Sequence, residues 1–306
     1  MAYLALVLPR LRHLRIPFSR DQAFLLLAAF NQFFIAIDIY LAHNISGGIK
    51  PAEWIPIVSG FVCGAILLIA GAIAVKNRNL ASALANLVFA VSIGIGLLGA
   101  YFHLNRTVLL SEGLVSIQAV ATLIWAPPVI GPLFYVLVGV LGISAAWIEK
   151  PVDSGRLQLF AGKTVQMPYS KTRAYLLIVS IFILATLISS VLDHARFGFD
   201  NAWVWLPVTA ALFGFSTSLY LGIMSLPSAG DIMAHGTAML LLIAVGVVGF
   251  VLHSESSLTS AGVIVIERFL RGSPLLAPLL FCNVGLMGLL ALLAPGENIP
   301  PPSSRW

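Results

Sequence analysis

Charge is the scarcest thing in this sequence. Acidic and basic side chains make up 9% of its 306 residues, and 59% are hydrophobic. Soluble domains run nearer about 25% charged. That shortage excludes an ordinary water-soluble domain and points to a chain that lies in a bilayer. Cysteine is nearly as rare. Cys63 and Cys282 both fall in apolar runs, where a thiol acts as a small hydrophobe, so neither a disulfide nor a thiol catalyst is expected. Also missing are a P-loop, a nucleotide fingerprint, a nucleophile elbow, paired CxxC, HExxH and a catalytic carboxylate pair. No polar region is large enough for an ATPase domain, which argues against a self-contained enzyme for soluble substrates.

What is there is apolar sequence in long runs. Eight windows, about 23–43, 54–75, 81–103, 127–148, 174–193, 203–225, 236–253 and 274–294, approach the roughly 20 helical residues that cross a hydrocarbon core. Unbroken apolar runs satisfy their backbone in lipid only as helices, so the expected fold is an all-α polytopic membrane protein. The opening "MAYLALVLPRLRHLR" puts its bases after a short apolar run, the reverse of a secretory signal, and reads as a cytoplasmic amphipathic segment.

Orientation follows the basic residues. Arg10, Arg12, Arg15, Arg20, Lys76, Arg78, Lys150, Arg156, Lys163, Lys171 and Arg173 fall on one side. The loops opposite hold Lys50, Arg106, Arg196, Arg268 and Arg271. Positive-inside bias then places both termini in the cytoplasm, in a membrane of the bacterial inner type. The net charge of +5 reflects this topology and implies no nucleic-acid partner.

The chain also resembles itself. "RIPFSRDQAFLLL" from Arg15 lies 151 positions before "QMPYSKTRAYLLI" from Gln166, and His43, Trp54 and Pro56 match His194, Trp205 and Pro207 at that offset. "GLLGAYFH" and "GVVGFVLH" align at an offset of 150, ending at His103 and His253, and Pro128 and Pro132 match Pro274 and Pro278 at 146. The expectation is two parallel four-helix repeats, residues 1–150 and 173–306, joined by a cytoplasmic linker over 151–172 with a short hairpin near Ala161 and Gly162. "EGLVSIQAVATLIW" and "LTSAGVIVIERFL" read as interfacial helices, and "GENIPPPSSRW" as an extended tail.

Four histidines, His43, His103, His194 and His253, end odd-numbered helices and so share one depth at the outer face. Neutral imidazole is the commonest protein ligand for metals, and two histidines from one four-helix bundle can hold both axial positions of a b-type haem. Gly99 and Gly249 lie four residues before His103 and His253, on the histidine's own helical face, where a macrocycle could approach. Two plainer explanations stand beside these. A histidine at a helix C-terminus bonds the last carbonyls, and small residues at this spacing let helices pack closely. A copper or zinc site is a third reading. Asp38, Arg106 and Asp193 are candidates to orient a histidine or carry protons; Asp38 is also free to face water, or to pair with Arg106. Trp54, Trp205, Pro56 and Pro207 start inward-running helices at the headgroups.

The expectation is therefore a membrane subunit of a respiratory or extracytoplasmic electron-transfer complex. It would carry one bis-histidine haem per half, and its partners would be other subunits, lipid and a quinone. The alternatives are a cofactor-free anchoring subunit and a two-repeat transporter.

Overall fold

The apolar runs fold as helices because nothing within them stops one. In the computed structural model, the residues described are 3, 7, 19–45, 47–73, 76–107, 124–125, 128–159, 162–258, 262, 265, 267–268 and 274–293. Helices α1 (Arg20–Ile45), α2 (Trp54–Ile73), α3 (Arg78–Thr107) and α4 (Ile130–Ala146) precede strands β1 (Ile148–Glu149), β2 (Arg156–Gln158) and β3 (Thr164–Gln166). Then follow α5 (Lys171–Ala195), α6 (Trp205–Ile223), α7 (Ala229–Ser257) and α8 (Leu279–Ala291).

Polar side chains mark the helix starts. Ser228 and Asp231 form a capping box at α7: the Asp231 amide donates to Ser228 Oγ at 3.2 Å, and the Ser228 amide to Asp231 Oδ2 at 2.8 Å. Asn201 Oδ1 accepts from the Trp203 amide at 3.0 Å in the turn before α6.

Six segments are long and apolar enough to cross a membrane: Arg20–Ile45, Pro51–Ile73, Asn79–Arg106, Lys171–Ala195, Ala202–Ile223 and Ala229–Ser257. Two expected spans are shorter than the sequence implies. Ile130–Ala146 and Leu279–Ala291 reach about 25 and 20 Å at 1.5 Å per residue, below the roughly 30 Å of a hydrocarbon core. Proline is the reason. Pro128 stays outside α4, and the stretch from Pro274 to Pro278 is turn and bend, since a proline ring has no N–H to give.

Helix α1 packs on α2 and α4, α3 lies between α2 and α4, and α5 packs on α6 and α8 with α7 between those two. The two groups meet where α4 touches α5 and where α8 touches α1, the second being the shorter contact. Phe24, Tyr135, Leu141, Tyr175, Phe182 and Met287 are buried among them, while Phe30, Leu87, Leu97, Phe102, Ile181 and Leu240 stand exposed on the outer faces. Exposed apolar side chains on this scale belong against lipid. The protein is a multi-pass helical membrane protein.

The connection between the groups is a three-stranded antiparallel sheet in the order β1-β2-β3. Its hairpin pairs Arg156 with Gln166 and Gln158 with Thr164, and Gly162 turns the chain at φ +73°. Glu149 ties the sheet to α5, accepting from the Gly155 amide at 2.8 Å and the Lys171 amide at 2.9 Å. The N-terminal segment, both interfacial stretches and the proline-rich tail fall largely or wholly outside the described residues.

Candidate functional site

The last turns of α1, α3, α5 and α7 carry the four histidines, and the structure treats the two pairs differently. His43 and His103 meet: their ring centroids are 6.1 Å apart, with the planes inclined by 28°. His103 Nδ1 lies 3.0 Å from the Pro128 carbonyl oxygen. A carbonyl can only accept, so Nδ1 carries the proton and the lone pair of the neutral ring sits on Nε2. His43 Nδ1 is 3.5 Å from Glu53 Oε2, an ion-pair distance.

His194 and His253 hold similar bonds but do not meet as a pair. His194 Nδ1 donates to the Ser190 carbonyl at 2.8 Å, and its ring lies beside Phe199 at 6.4 Å. His253 Nδ1 donates to the Pro274 carbonyl at 2.9 Å. Among the described residues, no ring contact joins His194 to His253. Of the two expected histidine pairs, the rings of His43 and His103 are in contact.

The glycine faces are already filled. A Cβ on Gly99 would stand 3.0 Å from Pro132 Cβ, and one on Gly249 would stand 3.0 Å from Pro278 Cβ. One turn earlier the fit is tighter: a Cβ on Gly96 would meet the Pro132 carbonyl at 2.8 Å, and one on Gly246 the Pro278 carbonyl at 2.8 Å. These glycines serve close packing of α3 on α4 and of α7 on α8.

Asp193 is held 3.7 Å from Arg196. Asp38 is partly buried, seven residues before the end of α1. Among the described residues, no group of three or more His, Cys, Asp or Glu is placed to hold a metal ion. The copper or zinc reading thus has no three-ligand set there.

Two clusters escaped the sequence reading. At the opposite end of the bundle, Arg20 Nη1 donates to Thr172 Oγ1 at 2.7 Å, Lys171 Nζ lies 2.6 Å from Asp21 Oδ2, and Tyr175 donates to Asp21 Oδ1 at 2.8 Å. Tyr175 also stacks on Phe24 at 4.2 Å, and Lys171 Nζ reaches the Trp147 carbonyl. Half-way along the helices, Asn283 Nδ2 donates to Asn31 Oδ1 at 2.7 Å, and Gln32 Nε2 to Ser92 Oγ at 2.7 Å. A lone asparagine in the apolar run "LLFCNVGL" is the signal that could have found Asn283. No sequence signal marks Glu53 as the neighbour of His43.

Helix count and burial define a class, the multi-pass helical membrane protein, and the comparisons go no further. No protein-family model, curated protein or solved structure matches the chain.

Proposed function

We propose that this chain is an integral membrane subunit of an electron-transfer assembly, with His43 and His103 as the axial ligands of one b-type haem. The meeting of these two rings at 6.1 Å, from helices 60 residues apart in sequence, carries the reading. Two imidazoles on opposite sides of one metal, each bonded at about 2 Å through nitrogen, set their ring centres about 6 Å apart. The chemistry of a bound haem is one-electron transfer, with a potential tuned by its axial ligands. The chain's own residues orient those ligands. Pro128 fixes the tautomer of His103, a contact that steadies the ring and raises its basicity, and Glu53 lies at ion-pair distance from His43. His194 and His253 are helix-end histidines in this reading.

The same proposal takes the chain as eight spans in two parallel four-helix repeats, with the histidine end extracytoplasmic and both termini cytoplasmic in an inner membrane of bacterial type. The repeated sequence supports it, as does the equivalence of the His103–Pro128 and His253–Pro274 bonds. A quinone and further subunits complete the electron path.

The test is the absorption spectrum of the purified chain with partners removed. A Soret band is expected that is lost in His43→Ala and His103→Ala and kept in His194→Ala. A wild-type chain free of any Soret band overturns the redox reading and leaves an anchoring subunit.

A further inference from the structure

The two contacts between the helix groups are not alike. Where α4 meets α5, the facing side chains are aromatic, Phe134 and Phe182, with centroids 6.4 Å apart. Where α8 meets α1, the contact is the amide pair of Asn283 and Asn31. At the repeat offset of 151, Asn31 corresponds to Phe182. One seam is thus dry, and its counterpart is polar at the same depth.

The polar seam is also unfinished. Asn31 is 5% exposed, yet Asn31 Nδ2 and Asn283 Oδ1 have no hydrogen-bond partner. Turning both amides does not cure this. One bond between two amides always leaves one NH2 group and one oxygen over, whichever way round they are drawn. A buried polar group without a partner costs about 1–3 kcal/mol, so the two left over in this seam call for a guest that both donates and accepts. Water is the smallest such molecule, and buried waters typically make about three hydrogen bonds to polar groups of this kind.

We propose that the seam between α1 and α8 is a water-binding site, formed by Asn31 and Asn283 half-way along the helices. The proposal does not rest on haem.

The experiment is water-edited solid-state NMR of the full chain in lipid bilayers, with ¹⁵N-labelled asparagine and assignment by Asn31→Leu and, separately, Asn283→Ser. The side-chain amides of Asn31 and Asn283 are expected to draw magnetisation from water as quickly as exposed Asn105. No transfer from water to either amide overturns the site. The readout is independent of any Soret band.

Discussion

Lys171 Nζ lies 2.6 Å from Asp21 Oδ2, across 150 residues of sequence. Arg20, the residue before Asp21, donates in turn to Thr172, the residue after Lys171. At an offset of 151, Arg20 corresponds to Lys171 and Asp21 to Thr172, so each half offers its base to the other half's next residue. A two-fold relation between the halves, as proposed above, would produce this reciprocity: if position i touches j, then j touches i.

Breaking this pair from one side is expected to be costly. Lys171 is 1% exposed, and Asp21→Asn removes the carboxylate its ammonium touches, leaving it buried against Trp147 with only the charge of Glu149 near by. Losses of about 3–5 kcal/mol are typical when one partner of a buried pair is removed. Thermal unfolding in detergent should show a large fall for Asp21→Asn and a much smaller one for Asp21→Leu combined with Lys171→Met. Additive losses in the double variant would mean that the two side chains do not act as a pair.

Glycine substitutions should sort by packing and not by distance from the histidines. Gly96→Ala and Gly246→Ala drive a Cβ to within 2.8 Å of a proline carbonyl and should cost about 1–3 kcal/mol each. Gly94 has nothing within 4 Å of a built Cβ, so Gly94→Ala should be neutral or gain up to about 1 kcal/mol from helix propensity. Equal melting temperatures for Gly94→Ala and Gly96→Ala would refute the close approach of α3 to α4.

His253 is expected to matter for stability alone. Its bond to the Pro274 carbonyl pins the end of α7 to the turn before α8, and His253→Ala should cost about 1 kcal/mol. Any Soret absorption of the purified chain should be unchanged in this variant, while His103→Ala abolishes it. Loss of the band in both would restore a cofactor role to the second pair.

Much of the helical architecture was legible because lipid requires long apolar runs, and such runs are visible in composition. What the sequence concealed was pairing. His43 and His194 occupy equivalent positions, yet Glu53 and His103 stand beside the first, while the second turns to Ser190 and Phe199. Side-chain direction at a helix end is set by neighbours from other helices, which periodicity does not report. Arg20 and Lys171 read as loop charges marking orientation, and only the fold brings each to the acid or hydroxyl that justifies its burial.

The amide pair in the polar seam yields the most discriminating prediction, because its two partners should fail differently alone and together. Asn283→Ala removes the donor to Asn31 Oδ1 and leaves a fully polar, 5% exposed asparagine facing an apolar gap. Asn31→Ala does the reverse. Each should cost about 1–3 kcal/mol, the penalty for stranding a buried polar group. Asn31→Leu combined with Asn283→Leu strands neither, makes the seam resemble its aromatic counterpart at Phe134 and Phe182, and should be less destabilising than either alanine variant. A double-mutant cycle of Asn31→Ala, Asn283→Ala and the two alanines combined, measured by unfolding in micelles, should give a coupling energy above about 0.5 kcal/mol, as expected for groups in direct contact. If the two losses simply add, the side chains do not share a hydrogen bond, and the polar character of the seam loses its structural basis.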